Sequence, residues 1–91
     1  MEKSGDSGWR EYALGIAVAL QRERIRRGLS QEDVAYRAGL SRFTYQKYEK
    51  GESRPGTPAN PTLRSLLAIS QALDVPLTVL LPSTAPDLTL R

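Results

Sequence analysis

Apolar positions recur at helical spacing along most of the 91-residue chain, and glycine and proline cut that pattern into five segments. From about Trp9 to Arg27, the residues Trp9, Ala13, Ile16, Ala17, Leu20 and Arg24 share one stripe. Gly28 ends this first helix, and Arg26 and Arg27 suit the negative end of its dipole. Ser30 predicts an N-cap for a second helix starting at Gln31, with Glu32 and Asp33 in the first turn. Gly39 stops that helix, Ser41 caps a third over Arg42–Lys50, and Gly51 closes it. Residues 51–61 hold three prolines and two glycines and predict a long loop. Asn60 and Pro61 then form an N-cap and first-turn pair for a fourth helix, with Leu63, Leu66, Leu67, Ser70 and Leu73 along one side. Asp74-Val75-Pro76 breaks it, and Leu77–Leu81 predicts a short fifth helix. No segment alternates as a strand would. The expectation is an all-α fold, a compact five-helix bundle, with a flexible N-terminal segment over 1–8 and a C-terminal tail over 82–91.

Composition narrows the chemistry. The chain has no cysteine and no histidine, which removes disulfides, the commonest metal ligands and the commonest general base. Glu32 and Asp33 are adjacent and diverge on their helix, and no Gly-Lys-Ser/Thr follows the glycines of the loop. No catalytic constellation, metal site or cofactor site is expected. No apolar run reaches membrane-spanning length, so no membrane partner is expected and a cytoplasmic location is. The net charge is +3, but between Arg22 and Arg64 ten Lys/Arg face five Asp/Glu. Basic charge therefore gathers in the middle of the chain, as on a surface that meets a polyanion. The Arg22–Arg27 run itself spreads around its helix and reads as a solvated face.

A unit that enters the major groove needs two helices crossing steeply through a very short turn. Gln31 to Lys50 supplies the parts: Val34 and Ala38 facing inward, a small Ala35, a turn at Gly39, Leu40 as a plug, and Tyr45 and Tyr48 facing back. The strings Gly28-Leu29-Ser30-Gln31-Glu32-Asp33-Val34-Ala35, Ala38-Gly39-Leu40-Ser41 and Tyr48-Glu49-Lys50-Gly51 resemble the lambda-repressor/Cro (Xre-like) helix-turn-helix family. Leu63 to Val75 is similar to that family's fourth helix, so the resemblance spans about residues 14–81. It implies a five-helix DNA-binding domain over 9–81, with the helix-turn-helix unit at 31–50. It also implies a transcriptional regulator, a repressor or an activator and here expected to be a repressor, that binds double-stranded DNA as a homodimer. Two features depart from the family pattern: the loop after Gly51 is long, and Tyr45 stands where Ile or Val is usual.

The first turn of the third helix points Arg42, Phe43 and Thr44 toward base edges, with Gln46 and Lys47 one turn on. Arg42 suits a bidentate contact to guanine and Phe43 a thymine methyl. Gln31 opens the second helix, where a phosphate or base-edge contact is implied, and Lys50 and Arg54 are expected as phosphate anchors. In the resembled family an Arg and a Glu at the positions of Arg24 and Glu49 pair across the bundle, which implies a structural ion pair here. Leu77, Leu80 and Leu81 are the expected dimer surface. The alternative is an antitoxin-like or adaptor module, in which the tail over 82–91, with Leu88 and Leu90, engages a protein partner.

Overall fold

The computed structural model describes residues 4–89, with side chains from Gly8 onward. Its elements are α1 (Ser4–Arg26), α2 (Gln31–Ala38), α3 (Arg42–Lys50), β1 (Glu52–Arg54), β2 (Thr57–Pro58), α4 (Leu63–Ala72) and α5 (Leu77–Leu80). The buried core draws Ile16, Ala19 and Leu20 from α1, Val34 and Ala35 from α2, and Tyr45 from α3. It is completed by Leu66, Ile69 and Leu73 around α4 and by Leu80.

Local chemistry sets the helix-turn-helix. The Ser30 hydroxyl accepts from the Asp33 N–H at 3.0 Å, and the Asp33 carboxylate accepts from the Ser30 N–H at 3.0 Å. This reciprocal box holds the Asp33 carboxyl below its usual range, chiefly through the Ser30 backbone N–H. Gly39 sits at φ 72°, a left-handed conformation that turns the chain out of α2. Ser41 then caps α3 by accepting from the Thr44 N–H. Gly51 ends α3 at φ 81°, where a Cβ would also lie 2.8 Å from the Leu14 side chain.

Four expectations are corrected. First, α1 begins at Ser4, so the segment expected to be flexible through Gly8 is helical from residue 4; Met1–Lys3 lie outside the described residues. Tertiary support outweighs the weak helix propensity of its glycines: the Trp9 indole N–H donates to the Ala59 carbonyl at 3.1 Å, and Pro86 packs on Gly8. Second, the loop over 51–61 contains an antiparallel hairpin, in which Glu52 pairs with Pro58 and Arg54 with Thr57 around Gly56 at φ 82°. Strands of three and two residues are too short to show alternation. Third, α4 is capped by Thr62, whose hydroxyl accepts from the Ser65 N–H, and Asn60 and Pro61 precede it. Fourth, Leu80 is fully buried in the core, so it cannot form a dimer surface.

The tail follows α1 back over its outer face. Pro82 packs where a Cβ on Gly15 would stand, and Pro86 does the same at Gly8. Leu88 remains half exposed, and Leu90 lies outside the described residues.

Candidate nucleic-acid interface

α3 carries two faces with opposite tasks. Its inner face buries Tyr45 and Glu49, the latter only 4% exposed. A carboxylate so placed must be fully hydrogen-bonded. It is: Oε2 accepts from Arg24 Nε at 2.6 Å and from the Tyr45 hydroxyl at 2.5 Å. Oε1 accepts from Arg24 Nη2 at 3.1 Å and from Gln31 Nε2 at 2.9 Å. All the acceptor capacity of the carboxylate is thus used. Arg24 reaches further, donating through Nη1 to the Leu29 carbonyl, while Gln21 donates to the Glu49 backbone carbonyl at 2.6 Å. The structure therefore joins α1, the start of α2 and α3 through one polar cluster.

Protonation follows from these contacts. Burial pushes the Glu49 carboxyl up, but hydrogen bonds from Arg24, Tyr45 and Gln31 outweigh it and leave it below its ordinary value. Arg24 is raised in turn, chiefly by the Glu49 hydrogen bond. Tyr45 is pushed well above the ordinary tyrosine value, first by burial and then by its bond to Glu49. At neutral pH the cluster is an ion pair with a neutral phenol donor.

The cluster continues outward. Gln46 Nε2 donates to Gln31 Oε1 at 3.1 Å, so the two glutamines form a relay from Glu49 toward the exposed side of α3. There Arg42 and Phe43 project from the first turn, and Phe43 is 68% exposed. Lys47 stacks on Phe43, its ammonium 4.6 Å from the ring centroid, a surface cation–π contact. Arg42 lies 3.6 Å from Glu32, with both side chains mostly exposed. Thr44 is partly buried, its hydroxyl accepting from that of Ser41 at 3.0 Å. Lys50 ends α3 on the exposed surface and borders a polar depression lined also by Gln21, Gln31 and Gln46. Arg54 is exposed at the end of β1, across a second depression of about 310 Å³ from Phe43 and Lys47.

Gln31, Arg42, Phe43, Gln46, Lys47, Lys50 and Arg54 thus border α3 and its two flanks, while Thr44 is turned toward the cap. Sequence reasoning missed Gln21 and Glu32 as members of this arrangement. The signal for Gln21 was its place three residues before Arg24, on the same face of α1. Tyr45, where the family pattern favours an aliphatic residue, is in the core and donates its hydroxyl to Glu49. Among the described residues no group of His, Cys, Asp or Glu could hold a metal ion, and no helix is long and apolar enough to cross a membrane.

The sequence profile of the helix-turn-helix family matches residues 20–80. Among solved structures, the restriction-modification controller protein C.AhdI from Aeromonas hydrophila is 29% identical with a TM-score of 0.66, over 75% of this chain and 94% of that one. The wild-type restriction-modification controller protein C.Esp1396I is 26% identical with a TM-score of 0.63, over 75% of this chain and 80% of that one. No curated protein matches the chain. A capped α2–Gly39–α3 unit, an exposed basic first turn on α3 and this profile agree: the chain belongs to the lambda-repressor/Cro (Xre-like) helix-turn-helix family of DNA-binding transcriptional regulators.

Proposed function

We propose that the protein is a homodimeric, sequence-specific repressor that acts by binding rather than catalysis, in the cytoplasm, with α3 in the major groove. The observation that carries this reading is the exposed first turn of α3, whose inner face is pinned by the bidentate Arg24–Glu49 pair. Arg42 reads a guanine, Phe43 meets a neighbouring base edge, and Gln46 and Lys47 read one turn further on. Thr44, whose hydroxyl is held by Ser41, approaches a base edge only by giving up that bond. Lys50 and Arg54 neutralise phosphates on either side, and Gln31 adds a hydrogen bond to a phosphate or a base edge.

Dimerisation uses the partly exposed Leu77 and Leu81 of the α5 region together with Val18, which is 59% exposed. Val18 lies on the face of α1 between Gly15, which meets Pro82, and Arg22, which donates to the Val79 carbonyl. Two copies on one face of the duplex require half-sites about 34–36 Å apart or a multiple of that spacing.

Selecting bound sites from a random DNA pool tests the proposal directly. A palindromic or repeated site, bound by two copies, is the expected result; a single half-site bound by one copy would overturn the dimer. A reporter driven from the selected site should fall when the protein is expressed, and a rise would overturn repression. The likeness to two restriction-modification controllers favours a role in setting the expression of such genes. In that case the selected site should occur upstream of a nuclease or methyltransferase gene.

A further inference from the structure

The family profile begins at residue 20, yet α1 extends sixteen residues earlier, to Ser4. That extension is tied to the hairpin at two points. Trp9 donates its indole N–H to the Ala59 carbonyl at 3.1 Å, at the base of β2. Arg10 donates from Nη2 to the Gly56 carbonyl at 3.0 Å, at the hairpin turn. A hairpin of three and two residues with a register irregularity is marginal on its own, so its placement depends on what it leans against. Ala59 is buried, its N–H bonds the Gly51 carbonyl at 2.8 Å and its carbonyl takes the Trp9 N–H, and these contacts together hold the base. The turn leans on Arg10.

The hairpin faces α3 across the depression of about 310 Å³. Lys47 and Lys50 stand on the α3 side, Ser53 and Arg54 on the hairpin side, and Glu52 is the one acid among the residues lining it. Cations on both walls suit a chain of phosphodiesters running between them. Arg54 could neutralise such a strand from a mobile loop, but ordering the loop on binding would cost affinity. A hairpin held in advance avoids that cost.

We propose that hairpin 52–58 is the second wall of a trough that seats one DNA backbone strand against α3, and that Trp9 and Arg10 are positioning residues for that wall. This rests on the DNA-binding reading above and adds to it a role for a part of the chain outside the family match. The lone tryptophan also makes the wall observable, because its indole reports on the hairpin base.

The experiment compares Trp9→Phe, Arg54→Ala and their combination, using the full chain on its selected operator. Trp9→Phe keeps an aromatic ring and the net charge but removes the N–H. Each single variant should weaken binding by roughly threefold to tenfold and flatten the slope of log affinity against log salt by about one, with base preference unchanged. The double variant should bind no worse than Arg54→Ala alone. Operator binding should also change the fluorescence of Trp9. Wild-type affinity in Trp9→Phe, or losses that multiply in the double variant, would overturn the positioning role. Should Trp9→Phe fail to fold, Arg10→Met against Arg10→Gln decides instead. Gln retains a donor without the charge and should restore wild-type binding, whereas equal losses would make Arg10 a phosphate contact and overturn its positioning role. An Arg54→Ala variant with an unchanged salt slope would remove the trough. The DNA reading would survive that result if Arg42→Ala still relaxed base choice.

Discussion

The molecule carries two Arg–Glu pairs at α3, and they differ in nearly everything but composition. Arg24 and Glu49 meet through two hydrogen bonds, at 2.6 and 3.1 Å, with 18% and 4% of their side chains exposed. Arg42 and Glu32 approach to 3.6 Å, with 60% and 73% exposed. The first pair has left water, has its remaining hydrogen bonds satisfied, and connects three helices. The second stays solvated and has no reason to persist once a better anion arrives. An ion pair behind the recognition helix orients it, whereas one in front holds a cation only until phosphates or bases compete for it.

The strongest way to break this contrast is to remove one partner of the inner pair. Glu49→Gln leaves Arg24 without its counter-ion and should cost about 3–5 kcal/mol in denaturant unfolding, while Glu49→Gln with Arg24→Met should cost much less than the sum of the singles. Near-zero coupling would reduce the inner pair to the status of the outer one.

Acid and alkali probe the same cluster. The Glu49 carboxyl has a lower pKa folded than unfolded. Its stabilisation is complete above the unfolded value of about 4.3 and is lost as pH falls through the folded value. Tyr45 has a higher pKa folded than unfolded. Its contribution is present below the unfolded value of about 10 and is lost as pH rises through the folded one. Thermal midpoints should therefore hold level between those limits and fall on both sides. Glu49→Gln should shrink the acid limb without abolishing it, because Asp33 titrates on the same side.

The outer pair should show itself in binding instead of folding. Arg42→Ala should leave stability nearly unchanged but cost about 1–3 kcal/mol of discrimination at one base pair per half-site, read by competition with mismatched operators. The smallest effect belongs to Glu32→Gln, which should alter stability by about 0–1 kcal/mol and tighten operator binding slightly by freeing Arg42. A large destabilisation there would mean that the exposed pair is structural after all.

The two pairs also mark how far the sequence could be read. Ser30, Gly39, Ser41 and Gly51 announce the ends of α2 and α3, because a cap is a one-residue chemical requirement. Arg24 and Glu49 were legible only together, through the family resemblance, since nothing local explains a charge on an apolar stripe. Glu32 was read as a first-turn acid, and its approach to Arg42 depends on the crossing of two helices. The hairpin escaped because its strands are too short to alternate. The early start of α1 escaped because Gly5 and Gly8 resemble breakers, and the support for that turn comes from Ala59 and Pro86, fifty or more residues away. Leu80 is misplaced by sequence for a local reason: a four-residue helix shows no periodicity that separates its buried side from its open one.

The direction of the bonds leading out from Glu49 has a consequence for how this recognition surface can diverge. A carboxylate only accepts, so Gln31 must turn its NH2 inward and its oxygen outward, and Gln46 must then offer NH2 to that oxygen. The amide of Gln46 is thereby denied its usual freedom to flip, and what it can offer a base, one oxygen and one remaining N–H, is dictated from the protein interior. A lineage altering base preference at position 46 would therefore have to answer to position 31 as well. Residues 31 and 46 should covary among descendants of this sequence, while position 42, whose side chain meets Glu32 in an exposed ion pair, is free to drift alone.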